Sequence, residues 1–424
     1  MSPREPFSER VARRLRVEPQ ELPPILWAVA QFLLLLASLY VVRPIRDEMG
    51  IAGGVKNMPW LFSGTFVGIL LVVPVYGWAV SRWSRRRLVP AVYTAVAATL
   101  GLFFVGFSVL PASTTPVLAA AFFIWFSVLN VLVVSVFWTL LADLFSPESS
   151  RRTFGLVAAG GTVGALLGPA LVAVLVRWMQ PRDLLIIAAV FILGAAGAAY
   201  RLDSAVGAVA PRDTTPVGGG LFRGFVSMLA TPRLRGIAVY LLCTTWISTI
   251  LYFEQAHIIE AAIPDPAQRT GLFAQMDLAV NLLALGVQTF LTGRILVRLG
   301  LVTVLVLSPL LSVGMLASLA LFPALAVLVV VQVMRRAVNY ALTRPAREVL
   351  YTDVDLESKY KGKNVVDTLV YRGGDAVAGW AFAGLEALGL GLSAIAWLGI
   401  PVALGWAAIG RRLGRDAETI ERPA

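Results

Sequence analysis

Apolar residues run through this chain in long unbroken blocks, and polar residues are confined to the short joints between them. Neither strand-like alternation nor the one-sided stripe of a soluble helix governs the pattern. Twelve blocks have the ~20 residues that cross ~30 Å of hydrocarbon. They fall near 25–45, 58–80, 88–110, 116–142, 153–176, 183–201, 235–257, 271–293, 301–321, 324–344, 364–386 and 389–410. Only Phe322-Pro323 parts the ninth from the tenth. The expected fold is an all-α polytopic membrane protein of twelve transmembrane helices.

Composition agrees with the pattern. The 424 residues are 58% hydrophobic and 14% charged, with a mean hydropathy of +0.78. A soluble domain carries more charge than that. The net charge of +11 does not indicate nucleic acid, because the basic residues sit in joints between apolar blocks. They read as topogenic charge. With the N-terminus inside, tails and loops on that side hold 27 of the 36 basic residues. The other side holds six: Arg43, Arg46, Lys56, Arg177, Arg182 and Arg269. This bias predicts two cytoplasmic termini and, for a bacterial chain, a place in the inner membrane. The basic start, MSPREPFSERVARRLRVEPQE, reads as a tail and not as a cleaved leader, since no small-residue cleavage site follows the long apolar run.

The longest joint, 202–234, divides the blocks six and six. The expected layout is a tail over 1–24, a six-helix bundle over 25–201, the linker 202–234, a second bundle over 235–410 and a tail over 411–424. Within the linker, PRDTTPVGGG reads as flexible and LFRGFVSMLATPRLR as a short amphipathic helix.

Little conventional chemistry is available. One cysteine, Cys243, and one histidine, His257, exclude an intrachain disulfide, a metal cluster and a histidine-based catalytic centre. No GxxxxGK[ST] loop is present, so ATP-driven transport within this chain is not expected. No cofactor is expected, and the chain reads as something other than an enzyme.

The chemistry lies in charges inside apolar blocks. Arg335 and Arg336 sit midway along the tenth block, and Asp367, Arg372 and Asp375 lie in the eleventh. A charge near the bilayer centre costs at least ~2.5–3.5 kcal/mol on insertion scales, so these five need a reason. Two readings fit: a polar site lining a pathway, or ion pairs that lock two helices together. The first block ends in YVVRPIRDEMG, where Pro44 would bend or end the helix beside Arg43, Arg46, Asp47 and Glu48. Snorkelling arginines are the alternative there.

At 100° per residue, Asp277, Asn281, Gln288 and Thr292 form one stripe along the eighth block. Glu254 and His257 form an i,i+3 pair, and Arg335 and Asn339 stack at i,i+4. Asn130 and Trp138 lie on one side of the fourth block, and Gln31 faces inward on the first. Such residues line a cavity or bond between helices.

Two motifs resemble the major facilitator type, in which two six-helix halves rock about a central cavity. GWAVSRWSRRR, Gly77 to Arg87, is similar to the facilitator loop signature, with Ser81 where an aspartate is usual. GGTVGALLGPA, Gly160 to Ala170, resembles the fifth-helix motif of facilitator antiporters. A plain basic loop and plain close packing are the respective alternatives.

A narrower resemblance rests on RPIRDEMG, on FWTLLADLFSPESSRRTFGLVAAGGTVG (Phe137 to Gly164) and on TRPAREVLYTDVDLESKYKGKNVVDTLVYRGGD (Thr343 to Asp375). These three blocks are similar to the ATP/ADP-exchanging nucleotide transporter family. The resemblance implies exchange of nucleoside tri- and diphosphates without an obligatory ion gradient. It places anion binding at Arg43 and Arg46 and matches Lys363, Asp367 and Arg372. Asp375 stands where that family leads one to expect lysine.

The expected function is therefore secondary transport of a phosphorylated or nucleotide-like anion, with ATP and ADP as candidates, by a chain acting as a monomer in the lipid bilayer. Arg43, Arg46, Arg335, Arg336, Asn339 and Arg372 would bind the anion. Asp47, Glu48, Glu254, Asp277, Asp367 and Asp375 would form gating ion pairs, with Gln31, Asn130, Trp138, Asn281 and Gln288 lining the cavity. Proton-coupled export of a neutral or cationic compound, through carboxyls such as Glu254, remains open. So does a membrane protein that transports nothing and binds a partner through 343–363.

Overall fold

A computed structural model describes residues 18, 21–145, 147–206, 221–352, 362–363 and 365–421. The flexible linker read at PRDTTPVGGG, most of the charged loop after Thr352 and both chain ends lie outside the described residues. So do the side chains of Ser81, Arg85 and Arg86.

The described chain is helical, without a strand. Its first six long helices are α1 (Leu22–Ala52), α2 (Met58–Arg82), α3 (Arg85–Val109), α4 (Thr115–Leu144), α5 (Pro147–Leu175) and α6 (Leu184–Val206). A short helix, α7 (Leu221–Ala230), follows where an amphipathic segment was expected. Then come α8 (Pro232–Ala262), α9 (Pro266–Val287), α10 (Gly293–Leu321), α11 (Leu325–Val338), α12 (Arg344–Val349), α13 (Tyr371–Ala387) and α14 (Leu392–Glu421).

Ten stretches are long and apolar enough to cross a membrane. One of them, Pro266–Leu321, is 56 residues long and holds two spans. They meet at Gly300, whose φ of 75° only glycine adopts freely. The remaining span is α13 with the turn before it; α13 alone has 17 residues. Among the described residues the count is therefore twelve. Large apolar side chains such as Val297, at 86% exposure, stand on the outside, as lipid-facing residues do.

Three helical stretches contain a π turn: Gln288–Thr292 after α9, Asn339–Thr343 after α11, and Val365–Val370 before α13. A π turn inserts a residue into the helical register and often marks a functional site.

The chain divides into two compact units. The first comprises Met1–Met49, Gly68–Thr214 and Pro266–Leu278; the second comprises Gly50–Val67, Thr215–Asp265 and Ala279–Ala424. In the first unit, the glycines of GGTVGALLGPA press α5 against the α1 backbone. A Cβ on Gly164 would lie 2.2 Å from the Leu33 carbonyl oxygen, and one on Gly168 would lie 2.7 Å from that of Ala37. An aromatic core stacks beside this contact, with Phe32 and Phe137 at 4.3 Å between centroids. In the second unit, Gly410 and Gly414 let α14 approach α10 in the same way, at the Leu305 carbonyl and Val302 Cα. The buried Tyr240 hydroxyl donates to that Leu305 carbonyl at 3.0 Å.

Candidate functional site

Among the described residues, each unit carries a charged cluster within its spans. In the first unit it lies on α1, where Pro44 was expected to bend or end the helix and does not end it. The helix continues to Ala52, and Pro44 removes one backbone hydrogen bond from its interior. The charged run is thus held inside a helix, and snorkelling does not describe it. Arg43 Nε lies 3.5 Å from Asp277 Oδ2, and its guanidinium sits 5.7 Å from the Tyr40 ring centroid. Arg46 pairs with Asp47, donates to Ser127 Oγ at 3.4 Å and lies over the Phe123 ring at 4.8 Å. Glu48 is 0% exposed and accepts from Arg269 through both oxygens, each at 2.7 Å.

Sequence reasoning missed Arg269. It was grouped with the charges of the outer loops, yet it is only 8% exposed. Its place on the first turn of α9, just past Pro266, was the available signal. Gln31 is buried at 0% exposure beside the buried Tyr93, so it faces the bundle interior and lines no open cavity. Trp138 is half-buried in aromatic packing with Phe32, Phe137 and Phe154, while Asn130 is exposed.

The second cluster is built by α8, α11 and α13. Arg335 Nη1 donates to Ser248 Oγ at 2.8 Å, and Nη2 donates to Gln332 Oε1 at 2.9 Å. Gln332 is itself fixed, because its amide donates to the Leu251 carbonyl at 2.8 Å. Arg335 is half-buried, and Ser248 and Gln332 help orient its planar guanidinium. Arg336 and Asn339 are half-buried beside it on the chain. The Asn339 backbone N–H bonds the Arg335 carbonyl, so the i,i+4 register between them is kept, and a π turn opens at Asn339.

Asp375 is buried; it accepts from Thr249 at 3.1 Å and lies 3.6 Å from Arg372 Nη1. Asp367 lies 3.4 Å from Arg347 Nη2. Just beyond α12, burial pushes the Tyr351 phenol up, and Asp367 adds to the effect. Glu254 and His257 do not pair. His257 Nε2 lies 3.0 Å from Glu386 Oε1, across to α13. Glu254 is 1% exposed, and neither carboxyl oxygen has a hydrogen-bond partner among the described residues.

Of the stripe predicted along the eighth block, Asp277 and Asn281 lie at i,i+4 on the unbroken α9. The π turn at Gln288–Thr292 shifts the register of Gln288 and Thr292. Gln288 and Thr292 donate to the carbonyls of Tyr340 and Ala341, at 3.0 and 2.8 Å. Both carbonyls lie within the second π turn. Asn281 is half-buried.

No group of three or more metal-ligating side chains occurs among the described residues. What the two clusters offer is guanidinium charge held by neutral and acidic partners. That suits reversible ion pairing.

A family model described as Major Facilitator Superfamily matches residues 23–352. No curated protein matches the chain in sequence. Among solved structures, it is similar to a bacterial homologue of the iron transporter ferroportin in an inward-facing state. The TM-score is 0.66 at 14% identity, over 93% of this chain and 99% of that one. An autoinhibited POT family peptide transporter gives 0.66 at 13% identity, over 95% and 99%. A nucleoside transporter gives 0.59 at 13%, over 96% and 100%. At these identities the likeness concerns the fold alone. The family match extends over most of the chain. The protein is a multi-pass membrane transporter rather than an enzyme, and it belongs to the Major Facilitator Superfamily.

Proposed function

We propose that this transporter moves an anionic metabolite, phosphorylated or nucleotide-like, by alternating access and exchange. The observation that carries the reading is Arg335. Its guanidinium is held by Ser248 and Gln332 inside a span, half-buried and oriented by neutral groups. A guanidinium inside a span is costly to place, and it can take an oxyanion by charge-assisted hydrogen bonds. Arg336, on the same helix, adds charge. Arg43 and Arg46 would form a second anion-attracting group, and their carboxylate partners would exchange ion pairs as the six-helix halves 25–201 and 235–410 rock. The resemblance of three sequence blocks to nucleotide exchangers narrows the substrate class. The positive-inside bias sets both termini in the cytoplasm of a bacterial inner membrane.

The test is uptake of radiolabelled ATP into liposomes holding the purified protein, preloaded with ADP or left empty. Uptake only with internal ADP establishes nucleotide exchange. If folded protein takes up neither ATP nor other phosphorylated anions under any loading, the reading fails.

A second reading is favoured by Glu254. A buried carboxyl with no partner suits a proton carrier, and proton-coupled movement of a neutral or cationic compound would use it. Arrest of transport on collapse of the proton gradient would establish that reading.

A further inference from the structure

The end of the second unit where α12 leads into the charged loop and α13 returns is laid out as a ladder. The lowest rung is the ion pair Arg347–Asp367, at 3.4 Å, which ties α12 to the π turn before α13. One helical turn further in on each side stand Arg344, three residues before Arg347, and Tyr371, four after Asp367. The next turn brings Tyr340 and Asp375. Tyr371 lies within electrostatic reach of Arg344, Tyr340, Arg372 and Asp375, so these groups make one wall of charged and phenolic side chains.

Two arginines of this wall lie over tyrosine rings. Arg344 sits 4.7 Å from the Tyr340 centroid, and Arg372 sits 5.3 Å from that of Tyr371. Each tyrosine is placed by a π turn: Tyr340 lies within Asn339–Thr343, and Tyr371 follows Val365–Val370 directly. The carbonyls of Tyr340 and Ala341 are capped from α9's π turn by Gln288 and Thr292, which holds this backbone in place.

The carboxylates of the ladder are engaged. Asp367 faces Arg347, and Asp375 faces Arg372 and Thr249. Arg344 is exposed; among the described residues it forms no salt bridge, though its charge acts on Asp367. A guanidinium lying over an aromatic ring can present its N–H groups to an oxyanion in two parallel hydrogen bonds. The Tyr371 phenol lies within electrostatic reach of it.

The geometry points to Arg344, stacked on Tyr340 and faced by Tyr371, as an oxyanion subsite that receives the phosphate or carboxylate group of the soluble substrate before Arg335 does. This rests on the anion reading above. Nine residues separate the two arginines, about 13 Å along a helix at ~1.5 Å per residue. The anion would thus pass from an exposed guanidinium to a half-buried one on the same helical stretch.

The test uses full-length protein in nanodiscs of phosphatidylcholine, with binding measured by calorimetry. The probes are ADP, inorganic phosphate, citrate and, as an uncharged control, adenosine. The variants are Arg344→Gln, Arg344→Lys, Tyr340→Leu and Arg335→Gln, each checked for an unchanged unfolding temperature. Arg344→Gln is expected to weaken ADP at least tenfold and to leave adenosine unchanged. Arg344→Lys keeps the charge and loses the planar fork, so it should recover less than half of that loss. Tyr340→Leu leaves the guanidinium in place and should weaken ADP several-fold, which supports the stack independently should Arg344→Gln fold poorly. Whichever of phosphate and citrate loses affinity with Arg344 identifies the oxyanion. Wild-type affinity in Arg344→Gln, with binding lost in Arg335→Gln, overturns the subsite and leaves the anion reading standing. Absence of anion binding by the wild type removes both. If Arg344→Gln changes only the retention of phosphatidylglycerol in mixed nanodiscs, the occupant is a lipid headgroup and the substrate subsite is overturned.

Discussion

Arg269 holds Glu48 by two parallel hydrogen bonds, each 2.7 Å long, and both side chains are withdrawn from solvent. The pair joins the far turn of α1 to the first turn of α9. Removing one partner of such a pair leaves an uncompensated buried charge, at a cost of ~3–5 kcal/mol. Glu48→Ala and Arg269→Ala are each expected to lower the unfolding temperature of the purified protein strongly. The double variant should lose much less than the sum, because neither charge is then stranded. Additive losses in a double-mutant cycle would show that the two side chains are not coupled.

The α1–α5 contact yields a second prediction. An alanine methyl at Gly164 would meet the Leu33 carbonyl oxygen at 2.2 Å, and helix backbone cannot move aside as a side chain does. Gly155, earlier on the same helix, has open space where its Cβ would be. Gly164→Ala should therefore destabilise the protein by ~1–3 kcal/mol, the usual cost of overpacking. Gly155→Ala should be neutral or slightly stabilising, through helix propensity. Thermal unfolding of the two variants in one detergent makes the comparison. Equal stability would mean that α5 does not rest on α1 through Gly164.

These two sites show what a reader of the sequence could and could not see. The small-residue spacing of Gly160, Gly164 and Gly168 was visible, and it became a backbone contact. The twelve spans were visible too, since bilayer thickness sets their length. Pairing between distant charges was not. Glu48 and Arg269 are far apart in the chain, and loop-charge counting assigned Arg269 to a surface. Neighbour rules also misled at His257. They gave it Glu254 on its own helix, whereas packing gave it Glu386 on α13. The π turns escaped for a related reason. A stripe drawn at 100° per residue through Gln288 and Thr292 assumes an unbroken helix, and nothing in QTFLT announces the inserted residue.

Glu254 separates the two functional readings. Three charged groups on elements packed against α8 have other partners: Arg335 bonds Ser248, Arg372 faces Asp375 and Glu386 meets His257. Glutamine at 254 keeps the volume and removes the titrating group. Under the exchange reading, Glu254→Gln transports at the wild-type rate, and an uncoupler leaves wild-type uptake unchanged. Parallel uptake assays in liposomes with and without an imposed proton gradient check this. Gradient-dependent wild-type uptake that disappears in Glu254→Gln would transfer the assignment to proton coupling.

Arg335 carries the strongest functional prediction. Ser248 Oγ at 2.8 Å and Gln332 Oε1 at 2.9 Å accept from it, and Gln332 is in turn fixed by the Leu251 carbonyl. Arg335→Ala removes the charge and leaves the neutral Ser248 and Gln332 groups without it, at a cost of ~1–3 kcal/mol. The variant should insert and remain folded, while uptake of the labelled anion falls to the background of empty liposomes. Arg335→Lys restores charge without the planar fork and should recover a minor part of the rate. Gln332→Leu leaves the charge but frees its orientation, so it should raise KM more than it lowers the maximal rate. Wild-type uptake by Arg335→Ala would place the anion elsewhere, with Arg43 and Arg46 in the first unit the next residues to substitute.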